Sequence, residues 1–114
     1  MNEQEFAKYI DLETGLGRVR GNKTLYARML QMFLDSKEFA AFEDAVAAGN
    51  LTAAAESIHG IKGMTGNLSL TAVFETSMAL MNDLRAGNLD ETLLAEYREA
   101  LTETQRVVRE YIAQ

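Results

Sequence analysis

The chain has 114 residues, 47% of them hydrophobic and 25% charged, the balance of an ordinary globular domain. With 11 Lys+Arg against 17 Asp+Glu the net charge is −6, and no basic cluster offers a footprint for nucleic acid or an anionic membrane. Absence of cysteine removes disulfides and thiolate chemistry, and a single histidine leaves too few soft ligands for a zinc site.

The opening MNEQEFAKYI has neither the basic region nor the apolar run of a signal peptide, and no segment approaches the length of a membrane span. A cytoplasmic setting is therefore expected. Residues 1–114 read as one domain, long enough to bury roughly 65% of the unfolded surface without a cofactor or disulfide. The starting Met1 and the closing YIAQ favour a free-standing protein over a piece of a larger kinase.

Proline is absent, and apolar residues recur at helical spacing in nearly every segment, so the expected fold class is all-α. A short amphipathic helix covers residues 3–10, with Phe6, Tyr9 and Ile10 on its apolar side. The stretch DLETGLGRVRGN reads as a glycine-rich connection, and Asn22 as the N-cap of a helix through KTLYARMLQMFLD with the face Leu25, Met29, Met32 and Phe33. Next comes a helix carrying Phe39, Phe42 and Val46 that stops at Gly49, with Asn50 capping its successor.

That successor, LTAAAESIHGIKGMTGNL, holds the only histidine. Leu51, Ala54, Ile58, Ile61, Thr65 and Leu68 form its inward seam. A further helix shows Val73, Ser77, Leu80 and Leu84 and stops at Gly87. Asp90 caps the last helix, whose stripe is Leu94, Tyr97, Leu101, Thr104, Val108 and Tyr111. Met29, Met32, Met78 and Met81 fall on or beside apolar stripes and read as core. Short connections between long amphipathic helices predict an antiparallel bundle.

At about 100° per residue, His59 lies roughly 130° from the middle of its helix's seam, pointing outward or along the flank rather than into the core. Lys62 and Gly63 follow it by one turn and Gly66 by two, while Ala55 and Glu56 precede it. Each interior glycine costs a helix about 1 kcal/mol, so Gly60, Gly63 and Gly66 weaken this one by about 3 kcal/mol in all. Gly60 and Gly63 face away from the seam, and bare backbone beside an exposed imidazole suits the approach of another macromolecule.

A neutral imidazole offers a nucleophilic lone pair at cytosolic pH. Lys62 places a cation near any anion formed on the ring, and phosphoryl transfer requires both an in-line approach and neutralised phosphate oxygens. The chain lacks a nucleotide-binding glycine loop, a carboxylate cluster for Mg²⁺ and a second histidine. It can hold a phosphoryl group but not draw one from ATP unaided.

AESIHGIKGMTGNLSL resembles the histidine-containing phosphotransfer (HPt) domains of two-component phosphorelays, with His59, Ile61, Lys62, Gly63, Gly66, Asn67 and Leu68 on the motif. AVAAGNLTAAAESIHGIKG, LMNDLRAGN and GLGRVRGNKTLYARMLQMFL are similar to the family's flanking stretches. Gly60 replaces a commoner larger polar residue, and Ser69-Leu70 replaces the usual Gly-Ala, departures that bear on partner choice.

The resemblance implies an antiparallel four-helix bundle with short additional N-terminal helices. It further implies that His59 accepts a phosphoryl group from a receiver-domain phospho-aspartate or a histidine kinase and passes it to a response-regulator receiver. Lys62 would neutralise the phosphate, and Gly63, Gly66, Ala55, Glu56 and Gly60 would serve partner docking. No cofactor or metal is expected, since Mg²⁺ would belong to the receiver. The expected partners are receiver domains and a sensor or hybrid histidine kinase, and a monomer is expected. The domain would be a carrier rather than an enzyme. The alternative is a non-catalytic helical adaptor that binds receivers or kinases without being phosphorylated.

Overall fold

The computed structural model describes residues 2–114; Met1, part of the predicted domain range, lies outside the described residues. Seven helices follow in order: α1 Glu3–Tyr9, α2 Leu12–Gly17, α3 Lys23–Leu34, α4 Glu38–Ala47, α5 Leu51–Asn67, α6 Thr71–Arg85 and α7 Glu91–Ile112. Five of them, all but α4 and α6, start at a short polar side chain that accepts a hydrogen bond from an otherwise unpartnered backbone N–H. Asn22, Asn50 and Asp90 do this for α3, α5 and α7, as predicted. Gly49 and Gly87 stop α4 and α6 with φ of +69° and +87°, backbone that a side chain would strain.

Helices α4 to α7 form an antiparallel four-helix bundle. Its core joins Phe42 of α4, Ile58 and Ile61 of α5, Val73 and Leu80 of α6, and Tyr97 of α7. Phe42 and Tyr97 meet edge to face at 5.1 Å. At the other end α3 takes over the wall begun by α4, and Tyr26, Leu30 and Phe33 bury against Ile10, Leu68, Leu70, Val107 and Val108. Phe33 and Phe39 contact at 5.3 Å across the α3–α4 break, joining the two halves.

Three expectations require correction. The glycine-rich stretch after residue 10 contains α2, started by Asp11, whose carboxylate accepts from the Thr14 N–H and hydroxyl. Its Gly15 is a packing residue, since a Cβ there would lie 2.7 Å from the Tyr26 hydroxyl oxygen. Second, the buried stripe of α3 is Tyr26, Leu30 and Phe33, not Leu25, Met29, Met32 and Phe33: Leu25 is 40% and Met32 70% exposed. The Tyr26 hydroxyl makes its burial tolerable by donating to the Leu68 carbonyl at 2.6 Å. Third, of the methionines assigned to the core, Met81 is buried, Met29 half-buried, and Met32 and Met78 exposed.

The turn between α5 and α6 carries a further feature. Ser69 is buried with φ +58°, in the left-handed region where glycine is favoured and other residues are strained by about 1–2 kcal/mol. Its carbonyl accepts from the Asp11 N–H at 2.9 Å, and the following Leu70 is wholly buried. The departure from Gly-Ala is thus accommodated by a core side chain and a tether to the N-terminal segment.

Candidate functional site

Helix α5 positions the site because its inward seam leaves little choice of rotation. Ala54, Ile58, Ile61 and Thr65 are wholly buried, and the Thr65 hydroxyl donates to the Ile61 carbonyl at 2.8 Å, so it costs the core no unpaired group. With that face fixed, His59 emerges on the far side and is exposed. Lys62, one turn on, is half-buried, the usual disposition of an ammonium in water on a stem laid along the protein.

The three glycines divide. A Cβ on Gly63 would meet nothing within 4 Å, so backbone is bare beside His59 and Lys62. Gly60 borders α4, where its Cβ would stand 3.4 Å from the Glu38 carboxylate, an ordinary contact. Gly66, half-buried, also has a packing role: its Cβ would stand 3.0 Å from two carbons of the Phe74 ring. Its missing side chain lets α5 and α6 approach each other.

Two open grooves flank the histidine helix. One, about 510 Å³, runs from His59 along Ala55, Glu56 and Thr52 to Leu84 and Arg85 of α6. The other, about 440 Å³, has Lys62, Gly63 and Gly66 on one wall and Asp11, Thr14 and Arg18 on the other. Ala55 and Glu56 therefore share a groove with His59, whereas Gly60 lies toward α4. Arg85, Arg18 and Thr14 were not singled out from sequence. The stop at Gly87 contained the signal for Arg85, because an antiparallel α6 that ends there returns its last turn beside the start of α5.

Charge on this face is simple. Among the described residues, the only ion pairs involve Arg98, with Glu43, and Arg106, with Glu5, Glu103 and Glu110. Lys62, Arg18 and Arg85 stand outside them. Asp11 is held below the usual carboxylate range by the Thr14 hydroxyl and then the Thr14 N–H, so it stays ionised where it starts α2. No group of three or more His, Cys, Asp or Glu among the described residues is placed to hold a metal, and no helix there is long and apolar enough to cross a membrane.

The arrangement suits receipt of a group by an exposed nitrogen nucleophile with a cation one turn away and no steric cover. Comparison with curated proteins and with solved structures gives no significant match. A family model for the Hpt domain does match, over residues 28–107, which takes in the whole of α4, α5 and α6 and leaves α1 and α2 outside. Hpt domains have a phosphotransfer-related role in two-component systems, and it is to the Hpt domain family that this chain belongs.

Proposed function

We propose that the chain is a histidine phosphotransfer protein of a phosphorelay, with His59 as the phosphoryl-carrying residue. The Nε2 lone pair attacks the phosphorus of a receiver-domain acyl phosphate. An N–P bond forms as the acyl O–P bond breaks, the aspartate carboxylate leaves, and Nδ1 keeps its proton. Transfer to a second receiver is the same exchange reversed: its aspartate attacks phosphorus and the imidazole leaves. A histidine kinase is the other possible source of the group. Lys62 balances charge on the phosphate oxygens, Gly63 leaves the in-line path clear, and Ala55, Glu56, Gly60 and Gly66 border the area a receiver covers. Mg²⁺ belongs to the receiver, and the setting is cytoplasmic. The domain is a carrier, since it offers no group to turn over a small substrate.

The observation supporting this reading is the exposed His59 followed at one turn by Lys62 and the open Gly63, all inside the family match. Incubation with a phosphorylated receiver should give acid-labile, alkali-stable labelling of the wild type and none of His59→Gln. Persistent labelling of His59→Gln would remove the histidine from the mechanism, and an unlabelled wild type that still binds the receiver would identify an adaptor.

A further inference from the structure

Residues before the family match are held against the phosphotransfer face with unusual firmness for an N-terminal segment. Ile10 is 2% exposed, the Asp11 N–H donates to the Ser69 carbonyl at 2.9 Å, and buried Gly15 lies against Tyr26. Tyr26 in turn bonds the Leu68 carbonyl at 2.6 Å. These contacts fix α2 relative to the α5–α6 corner, and they make it the second wall of the groove that contains Lys62 and Gly63.

The wall carries a charge with no internal use. Arg18, at the C-terminal end of α2, is exposed and forms no ion pair among the described residues. Asp11, on the same wall, keeps its negative charge while accepting from Thr14, and across the groove stands the cation Lys62, so the two cations outnumber the one carboxylate there. The protein as a whole has a net charge of −6. A partner bringing an acyl phosphate brings a dianion, and its approach is least opposed where uncommitted cations line the surface. His59 does not line this groove, so Arg18 is placed to act on the partner's body rather than on the transferred group.

We infer that α2 is a docking wall for the receiver domain, with Arg18 pairing with an acidic surface segment beside the receiver's phospho-aspartate. This rests on the phosphorelay reading above. It assigns recognition to a segment outside the family match.

The test uses the full chain and two phosphodonors: phosphoramidate, which needs no docking, and the phosphorylated receiver that labels the wild type fastest. Arg18→Ala, Arg18→Glu and Arg18→Lys are compared with Arg109→Glu, the same charge change on the exposed last turn of α7. Labelling by phosphoramidate should be unchanged in all four. Transfer from the receiver at low salt should fall about threefold or more in Arg18→Ala and about tenfold or more in Arg18→Glu, recover in Arg18→Lys, and stay near wild type in Arg109→Glu. At about 0.5 M salt the differences should shrink, as screening requires.

Wild-type receiver kinetics in Arg18→Glu would overturn the inference. So would equal slowing by Arg109→Glu, which reports net charge alone, or equal loss with both donors, which reports damage to His59. A wild type that neither donor labels would sink the phosphorelay reading itself.

Discussion

At the scale of single residues, the informative contrast is between Gly63 and Gly66. By sequence the two lie one and two turns along from His59 on its side of the helix, and both match the same motif. Only the fold separates them, because a helical wheel records direction but not where the neighbouring helix passes. Gly63 opens to solvent, and Gly66 makes room for Phe74. Replacing Gly63 by Ala should raise stability by about 1 kcal/mol through helix propensity alone. Gly66→Ala should lose that gain to the 3.0 Å contact with the Phe74 ring and come out neutral or destabilised. Urea unfolding of the two variants checks this, and equal gains would show that the Phe74 contact is not tight. Gly63→Leu should remain folded but slow transfer from a receiver while leaving phosphoramidate labelling intact; normal receiver kinetics would refute the access role of bare backbone.

Among elements, the legible ones were those with a full seam and a polar cap. Helices α5, α6 and α7 each have four or more inward positions at helical spacing, and Asn50 and Asp90 mark two of their starts. Helix α2 was hidden because six residues contain two glycines and no stripe, and its stability comes from Asp11 and from packing on Tyr26. The face of α3 was misread by about one residue, since Tyr26, Leu30 and Phe33 repeat at the same spacing as the alternative. Tertiary contacts separate them: Tyr26 bonds the Leu68 carbonyl and, with Leu30 and Phe33, packs against Ile10, Leu70 and Val108, which no local pattern reveals.

Burial also ranks the seam positions. Ile58→Ala should cost about 2–5 kcal/mol, because the side chain is wholly buried in the α4–α7 core. Leu101, half-buried where the two core clusters meet, should cost less on the same change. A larger loss at Leu101 than at Ile58 in chemical denaturation would contradict this description of the core.

For the whole molecule, the two core clusters each contain one buried phenol, Tyr26 and Tyr97. Burial pushes both hydroxyls well above the ordinary tyrosine range, with Tyr111 and Asp11 adding to the effect at Tyr26 and Glu43 at Tyr97. In the unfolded chain they ionise near pH 10, while in the fold they stay protonated. The stability they support is therefore complete below about pH 10 and declines above it, by about 1.4 kcal/mol per pH unit for each group. Tyr26→Phe should flatten this alkaline decline and also cost about 1–3 kcal/mol at neutral pH, since the buried Leu68 carbonyl loses its donor. An unchanged alkaline slope in that variant would place the ionising group elsewhere.

Packing on its inner side lets α5 tolerate a weak, glycine-bearing outer face. Its inner face is fixed by α4 and α6 and its C-terminal end by α3 and the N-terminal segment, so packing supplies what helix propensity does not. The site is thus rigid behind and open in front. His59 is proposed to use this position to carry a phosphoryl group on Nε2. Long-range ¹H–¹⁵N spectra of the imidazole, recorded before and after addition of a phosphodonor, address it most directly. The His59 Nε2 resonance should shift to that of a phosphorylated nitrogen, with Nδ1 still protonated and the helical spectrum unchanged. A ring that stays unmodified while phosphate appears on another residue would contradict it.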